Sequence, residues 1–478
     1  MSWYNPDGSQ PSDSLHTGSG IHGETYWPDG RAPTDGTSTS DGIGFINFPR
    51  PLSSHPPAIH PYYVEETENS ADSRFNTGST PIDEDEEKKR SSSSPQSFQS
   101  VNGRVSLKNR LEHFTWSWFT TTMSTGGLAL ALAETPHRFD GLITIGKIVY
   151  VFNIVLFLIF VGAIVTRFIL IPRALKNSLL DGTEGFFFPA FWLSLAVIIG
   201  GANLYGVPST GPWLIVAIRI LFWIYAGCTL LVAALLYWFL FDRASGINLS
   251  ADKMSPTWVF PIFPAMLTGT IASFIAPSQP PAQRLPIIVA GVAYQGLGWM
   301  TAVCIIAIYM YRLFHSGLTP LNVRPGMFMM VGAPAFTIVA LIGNANALPA
   351  HHAYFAAHPL AAEVLRIMTL FVGIFLWLFA FWLFCIAALS CVAGIPEMGF
   401  SLTWWALVFP NVGFTIATVE IGRALGSEAV LWVGSAMTVL LVCAWFFVAG
   451  AHVRAVVLGK ILWPGRDEDR DEEHNKRD

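Results

Sequence analysis

The middle of this chain has very little charge. Only 13% of the 478 residues are charged, about half the share of a typical soluble domain. Most Asp and Glu residues lie before residue 113 or after residue 465, so the formal net charge of −5 describes the two ends of the chain. With 52% hydrophobic residues, this composition excludes an ordinary soluble domain, and we expect no nucleic-acid partner.

Motifs of soluble enzymes are also missing. The sequence has no P-loop, no Gly-x-Ser-x-Gly and no His-Glu-x-x-His. The five Cys residues fall in apolar stretches without metal-binding spacing, and His351, His352 and His358 share a loop without partners at zinc spacing. We therefore expect no enzyme activity, no catalytic residue, no metal and no cofactor.

The two ends of the chain are predicted to be cytoplasmic tails. The first 30 residues lack the apolar segment of a signal peptide. Residues 1–102 are rich in Gly, Pro, Ser, Asp and Thr, which is typical of disorder. Within them, Ser91 to Ser94 follow a charged run and form either a regulatory phosphorylation site or a solvated linker. Residues 461–478 form a second, charged tail.

Between the tails, residues 103–460 contain a series of long apolar segments. About 20 apolar residues are enough to cross a bilayer as a helix. Ten such spans are predicted, at 113–133, 145–170, 185–205, 212–241, 256–276, 286–314, 325–347, 360–392, 401–423 and 427–458. Lys and Arg near their ends favour cytoplasmic termini. The predicted fold is an all-α membrane protein with ten transmembrane helices arranged as five hairpins.

Gly or Pro interrupts every odd-numbered span. The main break residues are Gly126, Gly127, Gly200, Gly201, Pro264, Pro334, Pro410 and Gly413. A helical Pro removes one hydrogen bond, and freed backbone groups in a membrane need protein or a water-lined cavity around them. The alternation predicts that the odd helices form a central pore and the even helices an outer ring. Close helix packing at Gly is the alternative.

The spans contain few ionisable residues, and Glu420 is the main acidic one. Deep carboxylates, which cation-coupled transporters usually have, are missing. The amino ends of half-helices attract anions, and nearby hydroxyl and amide groups can replace water around an oxyanion. The candidates are Thr122, Ser124, Thr125, Asn203, Thr337, Asn344, Asn411 and Thr415. This pattern favours an anion path, and a neutral-solute pore is the alternative.

Several motifs resemble the fungal malic acid permeases of the tellurite-resistance/dicarboxylate transporter family, which includes the slow anion channels. In chain order they are His113–Phe119, Thr125–Gly127, Thr144–Tyr150, Pro261–Pro264, Gln295–Gly298, Arg324–Met329 and Phe409–Phe414, followed by Glu420–Gly422. The resemblance covers about residues 105–465. It implies ten helices around one pore per subunit, a homotrimer in the plasma membrane, and transport of C4-dicarboxylates such as malate, succinate and fumarate.

Specific roles are expected for three single residues. The resemblance places a pore-blocking phenylalanine at Phe409, where a hydrophobic constriction would gate by excluding water; ordinary packing is the alternative. The roles of Arg324 and Glu420 are inferred from their own chemistry and position. Arg324 either receives a substrate carboxylate in fork geometry or anchors the chain at the membrane surface. Glu420 either carries a proton with the substrate or forms an ion pair with Arg423 or Arg219.

Two other functions stay open at this stage. One is an uncoupled anion channel or sulfite efflux transporter on the same fold. The other is a membrane receptor or scaffold that acts through residues 1–100. The sequence leaves open proton coupling, the direction of transport, the order of preference among dicarboxylates and voltage dependence.

Overall fold

The computed structural model describes residues 107–180, 184–242, 250–251, 254–349, 352, 354–395 and 397–462. All regular secondary structure in these residues is helical. The predictions for residues 1–102, for the serine run within them and for the C-terminal tail beyond residue 462 lie outside the described residues.

In the described residues, ten helices of 13 to 36 residues overlap the ten predicted segments. They are α1 (Phe119–Glu134), α2 (Leu142–Leu170), α3 (Phe188–Gly201), α4 (Trp213–Phe241), α5 (Phe263–Ile275), α6 (Pro281–Ser316), α7 (Met329–Asn346), α8 (Ala361–Gly394), α9 (Phe409–Leu425) and α10 (Glu428–Val457). Among the described residues, nine helical segments are long and apolar enough to cross a membrane. Helix α1 is not among these nine segments. Short helices cover Leu107–Glu112, Ala174–Leu180 and Tyr354–Ala357.

Burial alternates along the chain. In the most apolar part of each segment, 94% of residues are buried around α5 but only 22% in α2 and in α10. The segments of α3, α7 and α9 are also mostly buried, at 67%, 89% and 83%, while those of α4, α6 and α8 are only 28%, 33% and 28% buried. Every residue of α1 from Phe119 to Ala133 is buried. The odd-numbered helices therefore form the interior, and the even-numbered helices present the apolar faces that a bilayer would cover.

The five buried helices contact one another in a closed cycle, in the order α1, α3, α5, α7, α9 and back to α1. Each is preceded by a 3₁₀ helix: Trp116–Trp118, Gly185–Phe187, Pro256–Ile262, Leu321–Phe328 and Leu402–Leu407. These 3₁₀ helices also contact one another around the cycle, so all five buried helices begin on one side, called here the N face. The opposite side is the C face.

The α-helices are less interrupted than the sequence predicts. Helix α1 is continuous through Gly126 and Gly127, and α7 continues through Pro334. The change of geometry lies instead where the 3₁₀ turns give way to α-helix. There Pro264 and Pro410 occupy the first helical turn, where a missing N–H costs little.

Two further expected breaks differ in the same way. Gly200 and Gly201 are the last residues of α3, and a π-helical turn at Ala202–Gly206 follows them. Gly413 lies inside a continuous α9. These glycines lack a Cβ, so neighbouring side chains approach the backbone closely, and packing explains them better than chain interruption does.

Candidate functional site

A small cavity of about 10 Å³ lies at the centre of the five buried helices. All five helices line it, through Leu130, Ala196, Val197, Leu267, Thr270, Ile271, Phe274, Phe336, Phe409 and Val412. This volume holds about one water molecule, and nine of the ten lining side chains are apolar. The axis of the five-helix cycle is therefore closed by hydrophobic side chains at this level.

Two phenylalanine rings form the plug. Phe409 begins α9 and is 1% exposed, and its ring centroid lies 5.2 Å from that of Phe336 in α7. Phe409 lies where the resemblance predicts a gate. Sequence reasoning missed Phe336, although an aromatic residue two positions after Pro334 on a buried helix was an available signal.

Around the cycle, aromatic rings pack against glycines on neighbouring helices. A Cβ at Gly127 would lie 3.2 Å from the ring of Phe409, and a Cβ at Gly413 would lie 3.0 Å from three ring atoms of Phe336. Gly200 makes a similar, looser contact with Phe274. At several of the predicted break residues, the missing side chain thus leaves room for the rings that close or flank the axis.

The predicted hydroxyl residues in the first half of α1 join helices. Thr122 Oγ1 lies 2.7 Å from Ser194 Oγ in α3. Ser124 Oγ donates to the carbonyl of Trp405, 3.2 Å away, in the 3₁₀ turn before α9. Both are fully buried. These two hydroxyls therefore fasten α1 to its two neighbours in the cycle.

Two other predicted threonines bond to outer helices. Thr125 accepts a hydrogen bond from Trp445 Nε1 of α10 at 3.0 Å, and Thr337 accepts one from Gln295 Nε2 of α6 at 2.8 Å. Each also donates to a carbonyl one turn back in its own helix. Their hydroxyls face the outer ring, and each hydroxyl hydrogen is already donated to a backbone carbonyl.

The predicted asparagines near the C face are held between helices. Asn203 Nδ2 donates to the carbonyl of Phe274 at 2.8 Å, and its Oδ1 accepts from Ser278 at 2.7 Å. Asn344 Nδ2 in α7 donates to the carbonyl of Gly269 in α5 at 3.0 Å. These amides stabilise the α3–α5 and α5–α7 contacts.

Asn411 lies two residues after Phe409. Its Nδ2 donates to the carbonyl of Leu407 at 2.8 Å, and its Oδ1 is buried without a hydrogen-bond partner among the described residues. Thr415 donates to the carbonyl of Asn411 at 2.8 Å. Sequence reasoning missed two buried hydroxyls that also lack a partner in this part of the chain, Thr121 and Thr268.

The guanidinium of Arg324 donates hydrogen bonds to backbone carbonyls on the N face. Its Nε donates to the carbonyl of Thr319 at 3.1 Å, and Nη1 donates to that of Ser390 in α8 at 3.1 Å. The guanidinium therefore links the turn before α7 to the end of α8.

An ion triad closes the C face between α1 and α9. Arg423 Nη1 lies 2.7 Å from Glu420 Oε1 and 2.5 Å from Glu134 Oε2, and Nη2 donates to the carbonyl of Glu134. The predicted ion pair of Glu420 is therefore made with Arg423. Because two carboxylates share one guanidinium, the triad carries a formal charge of −1 when both are ionised.

Comparison with known proteins agrees with this geometry. Residues 113–453 match the family described as SLAC1, voltage-dependent anion channel. The malic acid transport protein of Schizosaccharomyces pombe is 37% identical over 76% of this chain and 83% of its own length. The sulfite efflux pump SSU1 of Trichophyton rubrum is 25% identical over 71% of this chain and 89% of its own length. The matched family and relatives are transporters or channels, not enzymes.

Proposed function

This chain belongs to the SLAC1 family of voltage-dependent anion channels, and from that premise we propose that it transports malate-like C4-dicarboxylates across the plasma membrane. The observation that carries the proposal is the closed cycle of five buried helices with an apolar plug on its axis. The identity with a malic acid transport protein supports this choice of substrate.

The proposed architecture is ten spans arranged as five hairpins, with the odd helices around the pore. The alternating burial and the clustering of all five 3₁₀ turns on the N face support it. Both termini face the cytosol, and the protein is a homotrimer with one path in each subunit.

Phe409 and Phe336 are the proposed gate. Their rings fill the axis where all five buried helices meet, and a closed hydrophobic constriction excludes a hydrated anion. Opening requires one or both rings to leave the axis. Because Phe409 and Pro410 begin α9 directly after a 3₁₀ turn, a rotation at this junction would move the Phe409 ring.

Substrate contact by the predicted polar residues requires an exchange of hydrogen bonds. In this closed arrangement, hydrogen bonds to other protein groups are made by all nine predicted residues: Thr122, Ser124, Thr125, Asn203, Thr337, Asn344, Asn411, Thr415 and Arg324. Of these, Asn411 is the best-placed candidate, because it adjoins Phe409 and its amide oxygen has no hydrogen-bond partner among the described residues. Thr121 and Thr268 join the proposal, since their buried hydroxyls also lack a partner within the described part of the chain.

Proton coupling is proposed to use the C-face triad. Glu420 lies eleven residues after Phe409 in sequence, about 16 Å along α9 at 1.5 Å per residue. A negative triad would repel a dianion. Uptake of a proton by Glu134 or Glu420 would remove that charge and free the guanidinium of Arg423 to hold a substrate carboxylate.

Uncoupled transport of a smaller anion such as sulfite is the second candidate function. One observation favours it: in the part of the chain that the structure describes, no cationic side chain lines the axial cavity, so no positive charge there selects a molecule with two carboxylates. The distant relationship to a sulfite efflux pump agrees with this alternative.

Competition uptake in cells lacking their own dicarboxylate carriers distinguishes the two functions. We expect saturable uptake of labelled malate that excess succinate inhibits and excess sulfite does not. Inhibition by sulfite and chloride would support the second function. Deleting residues 1–100 should leave uptake intact, since these residues lie outside the transporter domain, whereas a receptor or scaffold would lose its effect.

A further inference from the structure

A second cavity lies outside the five-helix cycle. It measures about 600 Å³ and opens between α2 and α10, with α1 as its floor. Its apolar walls include Leu128, Leu132, Val149, Phe152, Val442 and Phe446. Pockets of a few hundred cubic ångströms with apolar walls and few polar groups are typical of small-molecule sites. Because only 22% of each flanking apolar segment is buried, the cavity would open into the bilayer.

The polar groups that line the cavity gather at its C-face end. His137 Nδ1 lies 2.8 Å from Ser435 Oγ, and the His137 ring stacks on Trp432 at 3.8 Å between centroids. One turn deeper, Thr135 and Thr438 are 3.3 Å apart. The cavity is therefore a long apolar slot with a few hydrogen-bonding side chains at one end.

The charges near this end disfavour a phosphate group. Among the described residues, no Lys or Arg lines the cavity. The guanidinium of Arg138 donates to the carbonyl of Ala133, and Lys147 points to Ser209. Glu428 lies 3.3 Å from His137 Nε2 and places a carboxylate at the rim. A phospholipid phosphate or a fatty-acid carboxylate would meet repulsion there and no free cation.

We propose that this cavity is a binding site for a sterol, a rigid apolar molecule with a single hydroxyl group. The hydroxyl would exchange hydrogen bonds with Ser435 and His137, and the ring system would lie along α10. From Trp432 to Phe446, α10 covers about 21 Å at 1.5 Å per residue, long enough for such a molecule.

The site is connected to the axial plug through α1. Leu128 forms part of the cavity floor, and the preceding residue, Gly127, contacts Phe409. Trp445, which also lines the cavity, donates to Thr125. An occupant that stiffens α1 at this level therefore stabilises the backbone against which the Phe409 ring packs.

Photolabelling of the purified full-length protein tests the site without using transport. The probe is a sterol carrying a diazirine, added with or without excess unlabelled sterol, and labelled peptides are mapped by mass spectrometry. The test variant is Val439→Trp, which fills the cavity. The matched control is Val433→Trp, on the same helix and exposed, but outside the cavity lining. Elution volume in size-exclusion chromatography confirms that both variants fold.

We expect saturable labelling within 128–152 and 432–446 that falls at least about fivefold in Val439→Trp and is unchanged in Val433→Trp. Excess phosphatidylcholine should not compete. Equal labelling of both variants, or competition by phosphatidylcholine as strong as that by sterol, would overturn the proposal. So would crosslinking between two copies through Cys443, which lines the cavity, because it would show that a second subunit fills the slot.

Discussion

Gly127 of α1 lies directly against the ring of Phe409 in α9. A Cβ at Gly127 would come within 3.2 Å of Phe409 Cδ2 and 3.1 Å of Val412 Cγ2, tighter than ordinary van der Waals contact. The same relationship recurs between Gly413 and Phe336. The plug on the axis is therefore formed by rings that depend on the absence of side chains on neighbouring helices.

Removing the Phe409 ring should open the axis. Phe409→Ala deletes most of the apolar plug, so water and anions can enter, and we expect anion flux to rise by roughly tenfold or more. Current recording in liposomes or oocytes measures this. Phe375→Ala, an exposed position on α8, is the matched control. Unchanged flux in Phe409→Ala would contradict the proposed gate.

Adding a methyl group at Gly127 should disturb the same plug. Gly127→Ala overpacks the contact with Phe409 and Val412, and we expect a loss of about 1–3 kcal/mol in stability. Melting temperature in detergent reports it. Gly227→Ala, on an exposed face of α4 with no atom within reach of the new Cβ, should be neutral or stabilising by up to about 1 kcal/mol.

The partner mutation provides a second check on this contact. Combining Gly127→Ala with Phe409→Ala makes room for the new methyl group. The cost of Gly127→Ala should therefore be smaller in the Phe409→Ala background than in the wild type. Additive losses in the double variant would show that the two residues are not coupled.

Neutralising Arg423 should destabilise the C face. Arg423→Gln leaves Glu134 and Glu420 without their shared cation. Breaking a fully buried pair costs about 3–5 kcal/mol, and since Arg423 is 36% exposed, we expect about 1–3 kcal/mol here. The melting temperature measures the loss. Arg366→Gln breaks an exposed pair with Glu363 and should have little effect, and equal losses would contradict a special role for the triad.

Substitution of Arg324 separates anchoring from substrate binding. Arg324→Ala leaves the carbonyls of Thr319 and Ser390 without this donor, so we expect a stability loss of about 1–3 kcal/mol and an unchanged KM for malate. Melting curves and uptake kinetics provide the two readouts. A KM increase of tenfold or more with unchanged stability would instead assign Arg324 to the substrate.

The span positions and the alternation of inner and outer helices could be predicted from sequence, because apolar length and Gly and Pro placement are local signals. Phe336 was missed although its position two residues after Pro334 was a signal. Its pairing with Phe409 was not predictable, because only the packed structure brings α7 beside α9. Thr125 and Thr337 were expected in the pore but bond to Trp445 and Gln295 of the outer ring. A residue list does not reveal which face of a fully buried helix a hydroxyl occupies.

The most direct test of the central claim is the initial rate of labelled malate uptake into liposomes containing only the purified protein, measured with and without an inward proton gradient. We predict saturable uptake that the gradient stimulates and excess succinate inhibits. Protein-free liposomes provide the background. Uptake no faster than that background, or uptake indifferent to the gradient and abolished by sulfite or chloride, would contradict a coupled dicarboxylate carrier.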